Sequence, residues 1–276
     1  MRFKKLNWQP RKFLLYTVLL LYLSFLVFPI FWLVLSSLKT HYQVLQIPPV
    51  LNFRPNFQAY EKLWSGGMLK AFGNSLAIAG LNIVIALALG IPAGYGLARF
   101  KTGFNQNIGF WILSVRMAPA FGVIVPIYIL IRNLRLLDTI VAVNLAHLTI
   151  NLPFAIWLLK GYFEEMPTEL EEAAMIDGAS RMQALLRVVV PISMPMIIAV
   201  GLLTFIFSWN EFLFAFVLTS SSGTTVPVLV TSLAGTMRFD WPLMASVAVT
   251  ALVPAFLLVS FVQKYIVRGL TLGALR

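Results

Sequence analysis

Cysteine is absent from the 276 residues, which excludes disulfides, thiolate metal sites and cysteine nucleophiles. Histidine occurs twice, at His41 and His147, too far apart to match a metal-ligand spacing. No Gly-Lys pair occurs anywhere, and a phosphate-cradling P-loop needs Gly-Lys followed by Ser or Thr. Any ATP used must therefore be handled by another polypeptide. Charge is scarce too: 11% of the residues are charged, against about 25% in a soluble globular domain. The remainder is dominated by apolar side chains, 59% of the total. One core of this size cannot hide so much apolar surface, so lipid must be the solvent for much of the chain. The net charge is +11. The basic residues lie mostly between apolar blocks, where they read as topology signals.

Six segments are apolar and long enough to cross a bilayer, which takes about 20 helical residues: about 13–38, 74–98, 108–131, 139–160, 195–219 and 242–266. Polar residues interrupt the third and fourth. The first follows a basic arm (Arg2, Lys4, Lys5, Arg11, Lys12) but outruns the apolar core of about 7–15 residues found in a signal peptide. It reads as a retained span. Backbone groups cannot go unpaired in lipid, so an all-helical bundle is expected. Pro29, Pro92, Pro119, Pro126, Pro153 and Pro254 lie inside the spans and should kink them. Thirteen Lys and Arg fall on the side of the two termini and seven on the other, with Arg116 inside the third span. That excess predicts cytoplasmic termini. The outer segment 39–73, with Pro48, Pro49, Pro55 and the aromatics Phe53, Phe57, Tyr60 and Trp64, predicts a small packed cap. No repeat or second domain is visible, so 1–276 reads as a single transmembrane domain.

The loop 161–194 is the most informative stretch. Residues 164–195 hold six of the ten acidic residues. Thr168 and Glu171 have capping-box spacing, with Pro167 at the entry. Leu170, Ala173, Ala174 and Asp177 share one helical face. Gly178 supplies a stop. Ser180 with Gln183 forms a second capping box, and Met182, Leu185, Leu186 and Val189 form an apolar face that Pro191 ends or bends. A helix–turn–helix is expected, with a narrow alanine seam between carboxylates that suits insertion into a groove. An ordinary amphipathic helix pair on the surface would fit the same caps and stripe.

Glu172-Ala173-Ala174, Gly178 four residues on, and Val188-Val189-Val190-Pro191 resemble the "EAA" loop of bacterial ABC-importer permeases, with Val in place of the usual Ile and Leu. Asp177-Gly178-Ala179-Ser180, the run Ser208-Trp209-Asn210-Glu211-Phe212-Leu213-Phe214 and the ending Val267–Ala274 are similar to the carbohydrate-importer branch, the maltose-permease MalG type. The resemblance extends over the whole chain. It implies an all-α membrane protein of the bacterial inner membrane, with six transmembrane helices in a type I ABC importer (MetI-like) domain. It implies, too, that the chain is not itself an enzyme, and that ATP and Mg are bound by a partner ATPase. The implied partners are a second permease, two ATPase subunits docked on the loops, and an extracytoplasmic solute-binding protein. The implied coupling residues are Glu171, Glu172, Ala173, Ala174, Asp177, Gly178, Ala179 and Pro191, and the tail 267–276 would be cytoplasmic.

Polar groups inside spans usually face the bundle or a cavity. Asn82, Asn144, Asn151 and His147 read first as interhelical glue; Asn74 belongs with the same candidates. Asn210 and Glu211 beside Trp209 and Phe212 combine amide, carboxylate and aromatic rings, a set suited to a sugar in a translocation path, and equally to helix packing. Arg116 could balance Glu211 or face water. A competing reading, a transporter driven by protons or sodium, would use Glu211 and His147 as proton carriers but leaves the docking loop without a purpose.

Overall fold

The structure, a computed structural model, describes residues 10–100, 103–234 and 240–273. The basic positions Arg2, Lys4, Lys5, Lys101 and Arg238 and the last residues of the tail, Ala274–Arg276, lie outside them. All regular structure among the described residues is helical. In chain order the helices are α1 (Pro10–Ser37), α2 (His41–Leu45), α3 (Gln58–Leu63), α4 (Leu69–Arg99), α5 (Gly103–Val115), α6 (Ala120–Asn133) and α7 (Ile140–Glu165). Then follow α8 (Glu169–Ile176), α9 (Arg181–Ala184), α10 (Val190–Ile192), α11 (Met194–Asn210), α12 (Leu213–Leu218), α13 (Val226–Ala234) and α14 (Trp241–Gly273). Among the described residues four stretches, Lys12–Ser37, Gln58–Arg99, Ile140–Glu165 and Trp241–Phe261, are long and apolar enough to span a membrane, and the count reaches six if each of two sharply bent helix pairs is one span.

The bent pairs differ from the continuous spans expected. Within the third, Asn107–Val115 and Ala120–Asn133 meet at 91°. Pro119 has no N–H to continue the ladder, and the amides of Arg116, Met117 and Ala118 turn back onto Leu113, Ser114 and Val115, three residues earlier. The fifth enters through a 79° bend between Arg181–Ile192 and Met194–Asn210. It is broken again after Asn210, because the Glu211 carboxylate takes the N–H groups of Phe214 (2.9 Å) and Ala215 (3.3 Å), which would otherwise bond to backbone carbonyls. Pro29, Pro92, Pro126, Pro153 and Pro254 sit inside helices that run on through them.

The chain divides into two compact units. The first comprises the residues up to Gly66 together with Leu233–Leu252. Here α1 buries none of its apolar window against protein, as expected of a helix solvated by lipid. Its end is tied down. Ser37 Oγ lies 2.9 Å from Tyr60 Oη, Asn56 N–H donates to Leu38 O, and Lys39 places its ammonium over Trp32 (4.9 Å) and Phe53 (5.2 Å). Thr40 and Gln43 form a reciprocal cap on α2. Lys62 reaches Asp240, which also caps the start of α14 at Leu243 N. The segment 39–73 is thus tied to the end of α1 and to Asp240, while Tyr42, Ile47, Leu51 and Phe57 stay exposed.

The second unit, Gly67–Ser232 with Val253–Arg276, is built on α4 against α7. Their approach is set by Gly90 and Gly94. A Cβ on Gly94 would lie 3.0 Å from Lys160 N and 3.1 Å from Leu159 Cβ. Small residues let helix backbones come close where lipid offers no hydrophobic drive for association. Buried asparagines then lock the register. Asn82 Nδ2 donates to Asn144 O (3.1 Å), Asn144 Nδ2 to Ile78 O (2.9 Å), and Asn151 Nδ2 to Asn82 Oδ1 (2.8 Å). These three serve as interhelical glue. Helix α11 packs on both, with Gly201 against Leu87 and Ile83. The core runs from Ala86 and Ala155 to Phe163, Leu185 and Val189.

At the α6–α7 turn, Asp138, with φ +60°, staples two loops. Its carboxylate accepts N–H bonds from Ser220, Ser221, Ser222 and Gly223 at 2.9–3.1 Å, plus the Ser221 hydroxyl. Burial pushes this carboxyl up, but the four backbone donors outweigh it and hold it well below the usual carboxylate range. Asn74 Nδ2 donates to the carbonyls of Ser222 and Thr224, fixing the same loop to α4.

Candidate functional site

The loop between α7 and α11 forms the helix–turn–helix expected of it. Helix α8 opens at Thr168 with three acidic residues, Glu169, Glu171 and Glu172, in its first turn, where the helix dipole favours negative charge. The expected Thr168–Glu171 capping box does not form: the Thr168 side chain makes no cap bond. The Glu171 carboxylate has better partners. It is 3% exposed, accepts the Tyr95 hydroxyl at 2.5 Å, and lies 2.5 Å from Arg99 Nε. The Arg99 guanidinium also donates to Phe163 O (2.7 Å) and Met166 O (3.1 Å), carbonyls at the end of α7, where the helical ladder runs out of donors. One ion pair thus fastens α8 to both α4 and α7. Tyr95 stands edge-on to Phe163, with ring centroids 6.1 Å apart.

Gly178 ends α8 as expected, with φ +89°. Ala179 N–H reaches back to Ala174 O, and Gly178 N–H to Met175 O. A Cβ at Gly178 would meet nothing within 4 Å, so the backbone conformation alone calls for glycine there. The Ser180–Gln183 capping box forms in full. The four-residue apolar face divides in two. Leu185 and Val189 are buried, whereas Met182 and Leu186 are exposed. The turn Leu185–Val189 is widened, with Val190 N–H bonding five residues back to Leu185 O, and Pro191 continues the helix into the bend at Ser193 instead of ending it.

The eight predicted coupling residues therefore divide by environment. Glu171 is an internal anchor. Glu172, Ala173, Asp177, Gly178 and Pro191 are exposed, and Ala174 and Ala179 are half-buried. With Leu170, Ile176 (86% exposed), Met182 and Leu186, the exposed ones make an apolar surface edged by carboxylates. Sequence reasoning missed Tyr95 and Arg99. Their i, i+4 spacing on the last turn of a span was the available signal; Arg99 was read only as a topology charge.

The second candidate group, Trp209–Phe212, lies at the break between α11 and α12. Trp209 is 4% exposed, stacked on Phe205 (5.5 Å) and edge-on to Phe72 (5.6 Å). Asn210 is exposed, with its amide on Ile206 O. Phe212 stacks on Phe216. Glu211 meets His147 Nε2 at 3.0 Å, and His147 Nδ1 lies 2.7 Å from Ser208 Oγ, so the histidine bridges α7 to α11. Arg116 does not balance Glu211; it lies on the rings of Phe154 and Phe207. Among the described residues no cluster of His, Asp and Glu could hold a metal ion.

Apolar helices, two pairs of them sharply bent, with a helix pair anchored to α4 and α7, are the architecture of an integral-membrane helical protein. The chain belongs to the family described as "Binding-protein-dependent transport system inner membrane component", matched over residues 9–272. It is 34% identical over 254 residues to the sulfoquinovosyl glycerol transport system permease protein SmoH of Agrobacterium fabrum, covering 91% of this chain and 89% of that one. It is 33% identical over 263 residues to the trehalose transport system permease protein SugB of Mycobacterium tuberculosis, covering 93% and 94%. Its fold superimposes with a TM-score of 0.75 on a chain of a bacterial ABC transporter involved in the import of the acidic polysaccharide alginate, at 21% identity over 96% of this chain and 99% of that one.

Proposed function

We propose that this chain is one of two permease subunits of an ATP-driven importer in the bacterial inner membrane, and that its α8–α10 loop couples solute movement to a separate ATPase. The carrying observation is the division of the loop into a buried anchor and an exposed face. Glu171 ties α8 to α4 and α7, while Leu170, Glu172, Ile176, Asp177, Met182 and Leu186 face outward. A surface that holds so much exposed apolar area suits a partner groove. Displacement of a partner seated there would pass through the Glu171–Arg99 pair into α4 and α7. Two ATPase subunits supply the ATP and Mg sites that this chain lacks, and an extracytoplasmic binding protein delivers the solute. Both termini are cytoplasmic, following the bias of basic residues.

The solute is a sugar or a sugar-like molecule, a reading supported by the sulfoquinovosyl glycerol and trehalose permeases among the relatives. The break at Trp209–Phe212 contributes to the path through the exposed Asn210 and the half-buried Glu211 and Phe212; the covered Trp209 ring supports them from behind.

The test is ATP-dependent uptake in liposomes holding this chain with its neighbouring permease, ATPase and binding protein. Glu172→Ala combined with Gly178→Asp is compared with the native chain. Coupling through the loop predicts that the variant assembles normally while uptake and solute-stimulated ATP hydrolysis collapse. Uptake that persists without the ATPase, or that follows a proton gradient, would overturn the reading and return Glu211 and His147 to the role of proton carriers.

A further inference from the structure

Arg116 lies inside the third apolar segment, at the break between α5 and α6, where the chain turns through 91°. Its guanidinium sits 4.2 Å from the ring centre of Phe154 on α7 and 5.1 Å from that of Phe207 on α11. The two rings meet edge-to-face at 5.1 Å and form one aromatic wall. Two other ionisable side chains in the interior of this unit have polar partners: Arg99 pairs with Glu171, and Glu211 contacts His147 and two backbone N–H groups. Arg116 pairs with no carboxylate among the described residues.

Two physical requirements converge on this position. An unpaired guanidinium at membrane depth is costly in hydrocarbon and is found facing a water-filled path or a bundle interior. A broken backbone at that depth is tolerated only where it is buried in protein or lines such a cavity. Arg116 is half-exposed and stands at the break itself, so both requirements point to an aqueous lining. The aromatic wall adds specificity. A cation–π contact engages the charge of a guanidinium and leaves N–H donors able to bond elsewhere. Contact with two rings inclined at 74° confines the guanidinium without using its N–H donors on a carboxylate, and such donors can take carboxylate, sulfonate or phosphate oxygens two at a time.

We propose that Arg116, held on Phe154 and Phe207, is a subsite for an anionic group (carboxylate, sulfonate or phosphate ester) on the transported sugar. The inference rests on the importer reading above and narrows its solute to a charged sugar.

The experiment uses the assembled transporter in nanodiscs, with matched probes: glucuronate against glucose, glucose 6-sulfonate against glucose, and glycerol phosphate against glycerol. Equilibrium binding is measured for the native chain, Arg116→Met, which keeps length without charge, and Arg116→Lys, which keeps charge without the fork. At least one anionic probe should bind the native assembly more tightly than its neutral match. Arg116→Met should weaken that binding about tenfold or more, the scale of a lost charge-assisted pair, and abolish the preference. Arg116→Lys should fall between the two, and added salt should weaken the native binding most. Equal binding of anionic and neutral probes, an anion preference that survives Arg116→Met, or no anion binding at all would overturn the subsite. So would dissociation of the two permeases in Arg116→Met without an effect on anions, which would make the arginine the partner of a carboxylate on the second permease. ATP-driven uptake by the native assembly is scored separately. If it persists while the subsite fails, only the subsite falls; if it is absent, the importer reading falls.

Discussion

Removing the Glu171 carboxylate should release α8 from the rest of the bundle without unfolding it. In Glu171→Ala, Tyr95 loses its acceptor and Arg99 keeps a nearly buried charge opposed only by the carbonyls of Phe163 and Met166. Removing one partner of a buried pair costs about 3–5 kcal/mol. The two surviving carbonyl bonds place this case at the lower end, about 3 kcal/mol. Glu171→Gln keeps an acceptor for Tyr95 but loses the charge, and about 1.5–2 kcal/mol is expected. Hydrogen exchange on the assembled transporter reads this directly, because α8 opens locally before the whole chain does. At about 1.4 kcal/mol per tenfold, amides of Glu172–Asp177 should exchange roughly 10–30 times faster in Glu171→Gln and over 100 times faster in Glu171→Ala. Those in the middle of α7 should be unchanged. The double variant Arg99→Leu with Glu171→Leu should recover part of the loss, since neither charge is then stranded. If α8 exchange is unaltered in both single variants while ATPase affinity drops, Glu171 contacts the partner directly and the anchor argument is wrong.

Two further outcomes follow from the same geometry. Asp138→Ala should free the N–H groups of Ser220–Gly223, which water can partly re-satisfy, at a cost of about 1–2 kcal/mol and a roughly 5–30-fold rise in their exchange. In the native chain the carboxyl sits below its ordinary value when folded. Its contribution is therefore complete at neutral pH and is lost only as the pH falls below about 4; loss already at pH 6 would contradict this. Gly94→Ala should force α4 and α7 apart against Lys160 N and Leu159 Cβ, costing about 1–3 kcal/mol, measurable as a lower midpoint in thermal unfolding of the purified permease; an unchanged midpoint would refute the close approach.

Much of this architecture is a local property and was legible one segment at a time. Apolar runs of spanning length identify the helices, because lipid forces the backbone to pair within each segment. Gly178 as a helix stop and the Ser180–Gln183 cap depend on residues within a few positions of each other, and both formed as read. The asparagines were recognisable as glue because an amide inside a span must bond across helices. Thr168–Glu171 had equally good cap spacing and failed, because Tyr95 and Arg99, more than 70 residues earlier, offer a buried carboxylate more than one backbone N–H does.

Composition and apolar run length were enough to read the chain as a helical membrane protein, and local caps were enough to read a helix pair in 161–194 with Gly178 closing its first helix. Only the tertiary structure decided that Glu171 faces inward while Glu172 faces outward, that His147 and not Arg116 meets Glu211, and that Asp138 closes over Ser220–Gly223. Helical periodicity assigns a side chain to a face. Which charge that face meets depends on pairing between helices distant in the chain, and that pairing is set by the packing of Gly90 and Gly94 against α7.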